Sequence, residues 1–177
     1  MSMRKLFIVG AALAFSAGAA LAQSGGLGKP ISEADLKNWD ISVLPDGTNL
    51  PPGSGTPAQG AKVYAEKCAM CHGPEGKGGG APGAGALVGN PPLNRIDAPK
   101  MVANMYAYAT SLFDFIRRAM PATSPRTLKD DEVYALTAYI LALNKIIKDD
   151  DVMDSKNLPV VKMPNRDNLY IPFPDRI

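Results

Sequence analysis

The side chains with the most chemistry in this chain fall within five consecutive positions, Cys68-Ala69-Met70-Cys71-His72. Cys68 and Cys71 are its 2 cysteines and His72 its 1 histidine. Several chemistries use residues of these types. A redox dithiol opens a helix after a strand, within a βαβ pattern. Here helical periodicity precedes the motif and no strand pattern does. A structural zinc site takes four ligands, and two Cys with one His make three. A disulfide between Cys68 and Cys71 would close a very short loop and stabilise little. The reading that fits its context is C-x-x-C-H, the attachment site of a c-type haem. In that chemistry the two thiols add to the haem vinyl groups as thioethers. The imidazole of His72 is then the proximal iron ligand.

The sixth ligand must come from elsewhere. A single histidine excludes bis-His ligation, and lysine is an unusual choice. Methionine is a soft partner that raises the reduction potential. Beyond the N-terminal apolar run the candidates are Met70, Met101, Met105, Met120, Met153 and Met163. Met70 is inside the motif, and Met153 and Met163 fall in the C-terminal segment. Met120 stands directly before Pro121, between two expected helices, where a rigid loop can present it. Met101 and Met105 share a helical face and are the alternatives; core filling is the commoner role of this side chain. A His/Met iron has no free site and shuttles one electron. A haem enzyme or gas binder would need an open distal position, and no second histidine is present to act there as acid or base.

The elements that must position these residues lie within a chain of 177 residues, 46% hydrophobic and 20% charged, with net charge +2. That is the composition of a soluble globular domain with extensions. It lacks the basic excess of a nucleic-acid binder. Residues 1–22 read as a secretory signal: Arg4 and Lys5, an apolar run, then Ala20-Leu21-Ala22 as cleavage pattern. Removing Arg4 and Lys5 would bring the 19 Lys+Arg level with the 17 Asp+Glu. Export implies the periplasm, and no other segment is long and apolar enough to span a membrane.

Residues 23–56 are expected to form an extended arm with one short helix capped by Ser32, anchored by Trp39, Ile41 and Leu44. Residues 57–144 are the expected core. Thr56 caps a helix from Pro57 to Cys68. A Gly/Pro-rich loop over 73–100 needs something to wrap, and a haem supplies it. Met101–Ala109 and a helix capped by Ser111 follow. The final helix is expected to be capped by Thr127 and to run to Asn144, with Val133, Leu136, Ile140 and Leu143 as its apolar stripe. Residues 145–177 form a second arm, with Tyr170, Ile171 and Phe173 in its apolar end. Arg117, Arg118, Arg126 and Lys129 could form a basic rim near Met120.

Together the attachment motif, the glycine-rich loop, Pro92-Leu93, Met120-Pro121 and a last helix bearing Tyr134 and Tyr139 resemble the class I c-type cytochromes. The resemblance implies an all-α fold, three to five short helices around one covalent haem c. Its N- and C-terminal helices would cross beside the haem. In that family a proline carbonyl accepts a hydrogen bond from the proximal histidine, and Pro92 is the match. Trp39-Asp40-Ile41-Ser42-Val43, Leu50-Pro51-Pro52-Gly53-Ser54-Gly55, Arg118-Ala119-Met120-Pro121 and Met163-Pro164-Asn165-Arg166-Asp167 further resemble cytochrome subunits of Sox-type sulfur and sulfite dehydrogenases. That narrower resemblance implies a periplasmic molybdenum-dependent dehydrogenase as electron donor and a downstream cytochrome or oxidase as acceptor. A free-standing cytochrome serving another periplasmic dehydrogenase is the alternative. Some members of that group carry two haems, whereas this chain has one attachment motif.

Overall fold

The computed structural model describes residues 28–168. The expected signal peptide and the apolar end bearing Tyr170, Ile171 and Phe173 lie outside the described residues. Six α-helices occur among those described: α1 Glu33–Trp39, α2 Pro57–Lys67, α3 Ala69–His72, α4 Val102–Met105, α5 Ala109–Ala119 and α6 Asp130–Leu143. The fold class is mostly helical, as the sequence implies. The chain divides at Ile41/Ser42. In the N-terminal unit Ser32 caps α1 through the Asp35 amide, as expected.

The second unit is built on α2 and α6. Thr56 and Gln59 form a reciprocal cap at the start of α2, with Pro57 in its first turn. The start of α6 differs from expectation. Thr127 Oγ1 donates instead to the Ser124 carbonyl, and Glu132 reaches back to the Lys129 amide at 2.9 Å. A long carboxylate three residues into the helix satisfies that donor, which leaves the threonine free to close the preceding turn. Where a helix was expected over Met101–Ala109 there is a single turn, α4. Ser111 lies inside α5, whose Asp114 is buried.

The two main helices meet at Gly60. A Cβ there would overlap the Ala135 carbonyl, so the backbones touch only because the side chain is absent. Tyr64 and Tyr139 pack across the same crossing with ring centroids 5.3 Å apart. On the other side of α6, Phe113 stacks against Tyr134 at 4.5 Å.

The flanking segments from Ser42 onward are part of this body. Val43, Met153, Leu158 and Met163 are buried in the same core as Phe113, Leu136 and Leu141. The Val43 amide donates to Asp114 Oδ1 at 3.0 Å, and the Ser54 amide to Asp131 Oδ1 at 2.9 Å. Ser54–Gly55 (β1) pairs antiparallel with Met153–Asp154 (β2), strands too short to show a period in sequence. Among the described residues no helix is long and apolar enough to cross a membrane.

Candidate functional site

The attachment residues are wound onto one tight turn at the end of α2. Cys68 donates its amide to the Tyr64 carbonyl, and its own carbonyl accepts from both Cys71 and His72. The chain then reverses at Gly73, with φ 73°, and a Cβ there would overlap the Gly78 carbonyl. The following loop is laced back onto the turn: Gly78 donates to the His72 carbonyl at 2.7 Å and Ala81 to the Cys71 carbonyl at 3.1 Å. Tyr64 donates its hydroxyl to the Gly73 carbonyl at 2.9 Å, and burial pushes its phenol up to about 12.

His72 Nδ1 lies 3.0 Å from the Gly85 carbonyl oxygen. A carbonyl can only accept, so Nδ1 carries the hydrogen and Nε2 keeps its lone pair for a metal. The expected partner was Pro92, and here the structure differs. Pro92 is exposed and borders a separate cleft with Asn104 and Pro164. The reason is Asn104, whose buried amide group takes the carbonyls of Pro91 at 2.8 Å and Pro99 at 2.9 Å and draws that segment aside. The loop is also pinned by Asn144 at the end of α6. Its Nδ2 donates to the Leu87 carbonyl and its Oδ1 accepts from the Gly89 amide.

The turn and loop enclose a cavity of about 640 Å³, lined by Cys68, Cys71 and His72. Leu112 and Ile116 of α5, with Leu136 and Ile140 of α6, give it apolar walls. Met101, Met105 and Met120 all reach it, so the structure brings the favoured methionine and both alternatives to one place. They differ in surroundings. Met105 is exposed, and Met101 Sδ is packed against Gly89, where a Cβ would not fit. Met120 caps α5 and is half-buried against the core. The expected basic rim is partly neutralised: Arg117 pairs with Asp130 at 2.9 Å and Arg118 with Asp114.

This donor set fits a covalently held porphyrin. Two half-buried, unbridged thiols, an imidazole with a free lone pair and a thioether line one apolar cavity. Its volume falls within the ~300–1,000 Å³ usual for ligand pockets. Burial pushes the Cys68 thiol up to about 11. Redox-active dithiols carry a lowered thiol pKa, so the shift runs against that alternative.

Comparison with known proteins agrees. Residues 55–140 match the family model described as cytochrome C oxidase, cbb3-type, subunit III. A thiosulfate dehydrogenase of Stutzerimonas stutzeri (strain A1501) is 34% identical over 113 residues, covering 58% of this chain. The match spans 35% of that relative's length. Among solved structures, the sulfane dehydrogenase SoxCD of Paracoccus pantotrophus contains a chain that superposes with a TM-score of 0.73 at 34% identity. That match covers 86% of this chain and 75% of the other.

Proposed function

Because the chain belongs to the cytochrome c family and its cofactor is accordingly covalent haem c, we propose that it is the haem subunit or electron acceptor of a periplasmic sulfur-compound dehydrogenase. The proposed donor is a molybdenum-dependent subunit that oxidises sulfite or sulfane sulfur, and the acceptor a downstream cytochrome or oxidase. Cys68 and Cys71 would hold the haem by thioether bonds, and His72 and Met120 would ligate its iron. The observation that carries the reading is the convergence of the C-x-x-C-H turn and Met120 on one apolar cavity. The likeness to a sulfane dehydrogenase chain over most of the sequence supports the partner class.

When bound, the haem supplies reversible one-electron chemistry. The chain's own residues set its terms. The Gly85 carbonyl fixes the ring tautomer and the orientation of His72. Met120 would supply the second iron-ligating side chain from the wall of the same cavity. Leu112, Ile116, Leu136 and Ile140 exclude water from the cavity.

The test is spectroscopic and biochemical. Holoprotein should show a low-spin c-type spectrum with the weak near-infrared methionine-to-iron band. Met120→Ala should abolish that band and lower the potential. A band that survives this substitution removes Met120 from the iron, and high-spin bands in the parent protein would support an open distal site instead. Purification from native periplasm should bring a molybdenum subunit in the same peak, or yield a cytochrome that such an enzyme reduces. Failure of both leaves an electron carrier with a different donor.

A further inference from the structure

Several polar side chains on the cavity wall, Lys100 and Tyr106 among them, are unused by this scheme. Of the polar residues lining the cavity, Tyr64 is bonded to Gly73 and Lys67 is paired with Glu132 at 2.6 Å. Lys100 and Tyr106 line the same cavity, and their side chains have no hydrogen-bond or ion-pair partner among the described residues. Tyr106 is half-buried, and burial alone acts on its phenol, pushing the pKa up. Among the described residues no fully buried side-chain polar atom lacks a partner, so this hydroxyl still reaches water through the cavity. A cofactor filling the cavity would take that water away, and an O–H left without an acceptor is costly, which points to a partner on the cofactor.

A haem brings two carboxylates, carried on the pyrroles that do not bear the vinyl groups. The Cys68–His72 turn holds the vinyl edge, whereas Lys100 and Tyr106 enter from the separate segment around α4. A carboxylate carried into an apolar cavity needs a charged or hydrogen-bonding partner. With Lys67 committed to Glu132, Lys100, exposed at the rim of the cavity, is the lining lysine left for that role. We infer that Lys100 and Tyr106 form the carboxylate-binding corner of the haem cavity, the ammonium pairing with a propionate and the phenol donating to it. The inference rests on the haem reading above and assigns these two residues a role in setting the potential.

The sign follows from charge. Removing a cation beside a propionate leaves uncompensated negative charge near the iron, which favours the oxidised state. Holoprotein carrying Lys100→Gln should shift the ferric/ferrous equilibrium towards ferric by about tenfold, a potential lower by about 59 mV for one electron. Tyr106→Phe should move it in the same direction, and Lys100→Arg should restore the parent value. Haem content from the pyridine haemochrome and the near-infrared methionine band are read on each variant. Absence of covalent haem from the parent protein overturns the haem reading itself. With haem loaded and the band intact, unchanged potentials in both Lys100→Gln and Tyr106→Phe overturn the corner alone. Altered axial bands in Lys100→Gln would place the amine on iron and also overturn it.

Discussion

Gly73 holds a positive φ that L side chains rarely adopt, and the Gly78 carbonyl occupies the place of a methyl group. Gly73→Ala should therefore destabilise the holoprotein by about 1–3 kcal/mol, read by chemical denaturation, and reduce covalent haem yield. Gly85 offers the contrast: what His72 uses there is the backbone carbonyl, so Gly85→Ala should keep that contact. Loss of the His72 Nδ1 hydrogen bond in the NMR spectrum of Gly85→Ala would argue against this placement of the loop. The same distinction explains what could be read from sequence at the site. Two thiols and an imidazole in five positions carry their chemistry in their identity and spacing, and Met120 stood out by its neighbours. The acceptor for His72 Nδ1 is a main-chain oxygen, which every residue of the loop possesses. Nothing in the residue types ranks Gly85 above Pro92; the choice is made by Asn104, which claims the Pro91 and Pro99 carbonyls.

The crossing of α2 with α6 depends on Gly60 in a way a helical wheel does not show. A methyl group there meets the Ala135 backbone and the Tyr139 Cβ, neither of which is the far end of a flexible side chain that could give way. Gly60→Ala should cost about 3 kcal/mol, the upper end of the range for overpacking, and thermal unfolding of the holoprotein checks it. Asn144, at the far end of α6, bonds the Leu87 carbonyl and the Gly89 amide. Asn144→Ala should cost about 1–3 kcal/mol by stranding these half-buried groups, with raised hydrogen exchange at Gly89 as its local mark. Helix starts were legible where the cap is a short side chain with a fixed offset, as at Ser32 and Thr56. The start of α6 was misread because Thr127 and Glu132 both offer oxygen to nearby backbone, and only the three-dimensional turn decides between them. The flanking segments read only as extended arms because an irregular chain has no period. Their burial comes from single residues, Val43, Leu158 and Met163, spaced by the surface they cover.

Across the whole molecule, Lys67 of α2 and Glu132 of α6 join the two halves of the body at 2.6 Å. The hydrogen bond from Lys67 is the main cause that holds the Glu132 carboxyl below its ordinary 4.5, with the Lys129 amide next. A carboxyl lowered in the folded state stabilises fully above its ordinary value and loses that contribution as pH falls through the lowered one. Unfolding midpoints should therefore be level near neutrality and decline below 4.5, and Glu132→Gln should decline less. A chain ended after Asn144 would lose Met153, Leu158 and Met163 from the core. It should unfold at lower temperature than the full chain even with haem attached. The pairing of Ser54–Gly55 with Met153–Asp154 also imposes an order on assembly. A chain delivered from its N-terminus exposes the Cys68–His72 turn well before Met153 arrives to seal the body. The last stretch of chain works as a clasp on the body away from the cavity, whose lining stops at Ile140. Because that closure joins residues far apart in sequence, it is the entropically costly step.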